Sequence, residues 1–335
     1  MFPDPIIAPG GVPMSADSET QNPIVFWLKV VVVVLLMGGL FTFIPLGRTV
    51  SVLLNVSALW LLLAIALRAI NFFVSSLKLY VLIPTAREDE YDLSVWRVFG
   101  IYLAGKFFGN FLPTSVGGDV IKVRELGVRN LPLSDATSSV FLERLTGLLG
   151  VVFIAIAVTL PGVELLEPYN LRAIRYPFLG LALGGLALGT VCWNYLDWFE
   201  RFLESWKRWP LVSSFQSFVN SLREYHGNNW QIAVVLFISV LYHLIRCLYL
   251  WIAIRALGAS ADFLYLLPAI PIVTFVSLIP ISLNNLGLRE GAITFAFTAL
   301  GLTSVESLGV ALLTRLIGYA LSLGGGFYYL KRSKL

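Results

Sequence analysis

Long apolar runs separated by short polar turns set the reading of this chain. The first runs from Ile24 to Ile44 and is long enough to cross a bilayer, which takes about 20 residues. Pro45, Gly47 and Arg48 mark the turn after it. A longer run from Leu53 to Ile83 carries Arg68 near its centre and Lys78 towards its end. It ends in a polar loop holding Pro84, Arg87, Glu88, Asp89, Glu90 and Asp92. The next run, Val95 to Leu112, is shorter and is broken by Gly105, Lys106, Gly109 and Asn110 before Pro113. The apolar piece after Asp119 is interrupted by Lys122 and Arg124. Neither piece makes a comfortable span. Together they predict a re-entrant hairpin, which survives at membrane depth only when buried in protein or lining a wet cavity.

Two spans are expected next, about Ala136 to Leu160 and Tyr176 to Leu196, around a loop with Pro161, Glu164, Glu167 and Pro168. Residues 197–229 alternate charges with aromatics such as Trp198, Phe202, Trp206 and Phe215, the pattern of an amphipathic helix lying on a membrane surface. A span from Trp230 to Leu257 follows, with His243 and Arg246 central. Phe263 to Ile279 leads to Pro280, and Ala292 to Leu302 is again short, so a second hairpin is predicted. The last span runs from about Val305 to Leu330 and ends in Lys331, Arg332 and Lys334. The expected fold is an all-α integral membrane protein with about six full transmembrane helices and two re-entrant helical hairpins. Its parts are a disordered cytoplasmic tail (1–22), a first membrane half with the Pro113 hairpin (23–196), the amphipathic cytoplasmic stretch (197–229), and a second membrane half with the Pro280 hairpin (230–335).

The two halves share landmarks in one order. Each has an apolar run with a central arginine (Arg68, Arg246), then a proline exit into small and polar residues and an Arg-Glu pair (Arg124-Glu125, Arg289-Glu290). Each then has Arg-Leu-x-Gly, at Arg144 and Arg315. The excess of Lys and Arg on cytoplasmic loops sets orientation. Lys331, Arg332, Lys334, Arg201, Lys207 and Arg208 fall inside, with both termini, while the Arg48 and Arg172/Arg175 loops fall outside. The Pro113 hairpin then opens from the cytoplasm and the Pro280 hairpin from outside. Such an inverted internal repeat is common in alternating-access transporters.

Composition agrees with a membrane protein: 57% of the 335 residues are hydrophobic, 13% are charged, and mean hydropathy is +0.81. A soluble domain carries about 25% charged residues. Cys192 and Cys247 lie in apolar runs, and His226 and His243 are far apart, so neither a disulfide framework, a metal site nor a cofactor is expected. Net charge is +4. An arginine at the bilayer centre costs about 2.5–3.5 kcal/mol on insertion scales, so it faces a partner or a cavity. For Arg68 and Arg246 the plain alternative is a helix-joining salt bridge to Asp119, Glu143 or Glu290; for Arg144 it is snorkelling. Arg315 follows Thr314 and has no carboxylate beside it in sequence. Gly117-Gly118-Asp119 offers either a simple capped turn or a helix N-terminus aimed at an anion, and Asn284-Asn285-Leu286-Gly287 offers a similar tip. Arg68, Arg124, Arg144, Arg246, Arg289 and Arg315 outnumber Asp119, Glu125, Glu143 and Glu290. A net positive interior wants an anion, and the planar guanidinium suits phosphate.

Gly117-Gly118-Asp119 with Arg124, Glu143-Arg144-Leu145-Thr146-Gly147 and Gly287-Leu288-Arg289-Glu290-Gly291 resemble the lysylphosphatidylglycerol synthase transmembrane family, over about residues 24–330. That family includes the flippase half of bacterial multiple peptide resistance factors and stand-alone prokaryotic proteins. It commonly has Asp-Arg where this chain has Glu143-Arg144. The resemblance implies a prokaryotic cell (inner) membrane protein that moves a phospholipid or lipid-linked intermediate between leaflets. The fused members' soluble aminoacyl-transferase domain has no counterpart in these residues, so lipid aminoacylation is not expected of them. The leading expectation is a non-enzymatic flippase for an anionic lipid or lipid-linked phosphate, with no nucleic-acid partner. The substrate-binding candidates are Arg68, Gly117, Gly118, Asp119, Arg124, Glu143, Arg144, Arg246, Arg289, Glu290 and Arg315. The alternatives are a membrane-embedded transferase acting on a lipid phosphate, with Asp119 and Glu143 as acid or base, or a scaffold for a partner lipid- or glycan-synthesising enzyme.

Overall fold

A computed structural model describes residues 23–84, 91–111, 117–160, 165–169, isolated positions between 176 and 190, 229–279 and 281–332. Among the described residues the fold is helical and has no strand. The helices are α1 (Pro23–Phe43), α2 (Leu46–Leu54), α3 (Ala58–Val81), α4 (Val95–Phe111) and α5 (Gly117–Gly127). They continue with α6 (Leu133–Thr159), α7 (Asn229–Ala256), α8 (Ala269–Ser277), α9 (Leu288–Ala299) and α10 (Ser304–Arg332). The expected tail, the polar loop at 87–90, most of the 176–196 span and nearly all of the amphipathic stretch lie outside the described residues, as do Pro113 and Pro280.

Four helices are long and apolar enough to cross a membrane: Ala58–Val81, Leu133–Thr159, Trp230–Ala256 and Ser304–Lys331. Their outward faces carry Leu62, Phe237, Leu316 and Phe327, all exposed, as lipid-facing side chains are.

The first predicted span differs from expectation. The chain bends by 84° between α1 and α2. Pro45 has no N–H to continue the α1 ladder, so it sits at the N-cap of a new helix. Gly47 and Arg48, expected in a turn, lie in that helix's first turn. The run expected from Leu53 to Ile83 is also split. Asn55 caps α2, and the Ser57 N–H donates to the Ala256 carbonyl oxygen (2.9 Å), pinning the start of α3 to the end of α7.

The two short-armed pairs appear where hairpins were expected. α4 and α5 pack against each other, as do α8 and α9. With 11, 9 and 12 residues, α5, α8 and α9 fall well short of the bilayer core of about 30 Å at about 1.5 Å per residue. α10 packs on α4 and α9, so the last long helix touches both pairs. α7 packs on α3 and α6 behind them. The main core gathers Ala253, Ile254, Ile270, Ile293, Phe297 and Ala311 from α7 to α10. A smaller one, with Leu79, Ile101, Leu126 and Val140, ties α3 through α6 together.

Close backbone approach joins α4 to α5. A Cβ on Gly105 would lie 2.8 Å from the Gly118 carbonyl oxygen, and one on Gly118 would overlap the Gly105 carbonyl. Both obstacles are backbone, which yields at a cost of about 1–3 kcal/mol. Gly118→Ala is therefore expected to lower the thermal midpoint of the purified protein, while Gly38→Ala, whose Cβ meets nothing within 4 Å, does not. Equal melting of the two variants would contradict the α4–α5 packing.

Candidate functional site

A cavity of about 300 Å³ opens where the two short-armed pairs meet α3, α6 and α10. Six cationic side chains line it, Arg68, Lys106, Lys122, Arg144, Arg289 and Arg315, against one carboxylate, Asp119. Two more carboxylates, Glu143 and Glu290, stand behind the wall and hold some of these cations in place.

On the α5 side, Asp119 lies in the first turn of its helix, where the helix dipole favours an acid. It pairs with Lys122 one turn on (2.9 Å) and with Arg144 of α6. The Lys122 ammonium also reaches Glu143 Oε2 at 2.5 Å. Tyr102 of α4 lies below both lysines: Lys106 Nζ is 5.0 Å and Lys122 Nζ 5.4 Å from its ring centre. Lys78 of α3, 2% exposed, donates to the Glu143 carbonyl oxygen at 3.3 Å.

On the α9 side, Glu290 is 0% exposed and fully engaged. It accepts from Arg315 Nε (2.5 Å) and a second guanidinium nitrogen (3.0 Å), and from the Gly287 N–H at 2.9 Å. The first two form the bidentate fork that planar guanidinium and carboxylate favour. Arg315 also donates to the carbonyl oxygens of Asn284 (3.4 Å) and Asn285 (3.2 Å). Asn284, Asn285 and Gly287 have φ of 46°, 55° and 81°, a left-handed turn that asparagine and glycine tolerate best. One arginine thus fixes both the turn before α9 and the acid within it. Arg289 donates to Thr314 Oγ1 at 3.1 Å.

Arg68 differs from these. Its guanidinium donates to Asn71 Oδ1 (3.1 Å) and lies 4.5 Å from the Phe72 ring centre and 5.4 Å from that of Tyr249. Among the described residues neither Arg68 nor Lys106 has a carboxylate partner.

The family model for the lysylphosphatidylglycerol synthase TM region matches residues 26–326. The chain belongs to this family. It is similar to a UPF0104 membrane protein of Methanocaldococcus jannaschii, with 22% identity over 299 residues that cover 84% of this chain and 87% of the relative. With its four apolar spans the protein is a multi-pass membrane protein.

Of the residues singled out in the sequence, the fold brings Arg68, Gly118, Asp119, Arg144, Arg289 and Arg315 to the cavity wall. Glu143 and Glu290 brace that wall, and Gly117 opens α5 without lining the cavity. Two arginines lie elsewhere. Arg124 is on an exposed face of α5 and donates to the Tyr329 hydroxyl at 3.3 Å. Arg246 donates to Thr274 of α8 at 3.0 Å and does not line the cavity. It stays behind the wall because the second half supplies its cavity cations from α9 and α10 instead. Arg144, read as a candidate for snorkelling, is paired with Asp119. Arg315 has the carboxylate that its sequence neighbours lack, brought from Glu290 on α9.

Lys106 and Lys122 were missing from the sequence-based set. Their signal was present: a lysine inside an apolar helix, as Lys106 is between Gly105 and Gly109, needs a cavity as much as an arginine does.

Removing one partner of a buried ion pair strands the other, at about 3–5 kcal/mol. Glu290→Ala and Arg315→Ala are each expected to lower stability on that scale, and the double variant by less than their sum. A double-variant cycle in thermal unfolding measures this. Strict additivity would mean that the pair does not hold α9 to α10.

Proposed function

We propose that the protein is a flippase that moves an anionic phospholipid or lipid-linked phosphate between leaflets by alternating access, in a prokaryotic cell membrane with both termini cytoplasmic. One observation carries the reading: six cations and one carboxylate on the wall of a cavity built from apolar helices. Charge of one sign in such surroundings is costly unless a counter-charge arrives. Phosphate oxygens supply it, and guanidinium forks match their geometry. The acyl or prenyl tails remain in the bilayer beside the exposed apolar faces. Family membership supports the membrane setting, and the family's name points to lipid.

The two short-armed pairs supply the gates. Each is fastened to the long helix that follows it by an acid–arginine pair, Asp119–Arg144 and Glu290–Arg315. A phosphate that enters competes with those carboxylates for the same guanidinium groups. Release of one fastening at a time opens the cavity to one leaflet at a time, as expected of inverted halves around a fixed site.

The test is reconstitution into vesicles carrying fluorescent phosphodiester and phosphomonoester lipids, with quencher access reporting the leaflet. The parent protein is expected to speed exchange of an anionic lipid. Arg289→Gln slows it about tenfold or more, the loss of one charge-assisted contact being worth about 1.5–3 kcal/mol. Arg68→Lys keeps charge but loses the fork and falls between. A parent that moves no anionic lipid, or folded variants that match it, would overturn the assignment.

A further inference from the structure

We propose that the headgroup this cavity takes is a diphosphate, with one phosphoryl group held at each of two cationic poles. The inference rests on the cavity being a lipid-headgroup site and narrows the class of lipid. The cations fall into two groups of three. Lys106 and Lys122 share the Tyr102 ring, and Lys122 shares Asp119 with Arg144. Arg68 lies over Tyr249, whose hydroxyl donates to the Thr314 carbonyl oxygen at 3.2 Å. The same Thr314 accepts from Arg289 through its hydroxyl and precedes Arg315 in sequence. The first group belongs to α4–α6 and the second to α3, α9 and α10.

Each pole keeps a surplus after internal pairing. Three cations of the first face Asp119 and Glu143, and Lys78 approaches only the Glu143 backbone oxygen. Three cations of the second share Glu290 alone, and Arg68 Nε is buried with no hydrogen-bond partner. The surplus is thus split, not pooled. The two helical pairs meet through neutral amides, Asn284 Nδ2 donating to the Asn110 carbonyl oxygen at 3.5 Å. A phosphodiester brings one negative charge and can satisfy one pole. A phosphomonoester can bring two, but on one phosphorus at one pole. A diphosphate carries charge on two linked phosphoryl groups and can meet both poles at once.

The test uses the full chain purified in mixed lipid–detergent micelles and reads the thermal midpoint against added ligand. The probes are farnesyl diphosphate, farnesyl monophosphate, phosphatidylglycerol and inorganic pyrophosphate. Farnesyl diphosphate is expected to half-saturate the shift at about one tenth the concentration of the monophosphate, the gain from one added charge-assisted contact. Inorganic pyrophosphate, without a tail, needs more than the prenyl diphosphate. Arg68→Gln at one pole and Lys106→Gln at the other each bring diphosphate and monophosphate to similar potency. If either variant fails to fold, the other gives the same reading.

Equal potency of diphosphate and monophosphate on the parent protein would overturn the two-pole assignment. Pyrophosphate that binds as tightly as the prenyl form would make this a soluble-anion site and overturn the lipid assignment. Vesicle exchange separates the two readings. Diphosphate preference without translocation supports this inference and overturns the flippase reading, and translocation without preference does the reverse.

Discussion

The acid–arginine pair between a short helix and the long helix after it is the contact on which the architecture turns. In the second half Glu290 and Arg315 are 25 residues apart. In the first, Asp119 and Arg144 have the same spacing, and both acids are the third residue of their helix. A short helix of about a dozen residues gains little from its own backbone ladder and cannot span a bilayer. Packing and a directed ion pair hold it instead. The acid at its N-terminus complements the helix dipole, so one carboxylate serves the helix and the arginine together.

That economy explains why the cavity stays positive. Asp119 and Glu290 are each shared by two cations, so neither neutralises either partner fully. Glu143 is committed to Lys122 and lies behind the wall. The charges left over, on Arg68 and Lys106, lean on aromatic rings, which soften desolvation without cancelling charge. Attraction for an anion and cohesion of the fold therefore draw on the same side chains.

The sequence made the spans, the two short-armed pairs and most of the arginines legible, because each breaks a strong pattern. A charge in an apolar run is conspicuous at any register. What it did not show was direction. Arg68 and Arg246 occupy matched places in their runs, yet one faces the cavity and the other Thr274 of α8. Which side of a helix meets a neighbour depends on packing between distant segments, and α3 and α7 are far apart in the chain. The partner of Arg315 was hidden for the same reason: Glu290 is seven helical turns away in sequence terms but adjacent in space. The bend after Ile44 was missed because proline reads equally as a turn or as the first residue of a new helix.

Sharing one arginine between an internal carboxylate and an external phosphate links binding to movement. A ligand shifts an equilibrium only by its difference in affinity for the two states. If phosphate merely joined an arginine already paired, it would stabilise open and closed arrangements alike. Here Arg315 spends its guanidinium on Glu290 and on the carbonyl oxygens of Asn284 and Asn285. A phosphate that takes those donors leaves Glu290 buried without its main partner and the turn before α9 without its tie. The freed acid then costs several kcal/mol unless α9 moves to admit water or another cation. In the proposed cycle the buried carboxylate is thus what converts occupancy of the cavity into motion of the helix that covers it, and the same logic applies to Asp119 on the opposite pair.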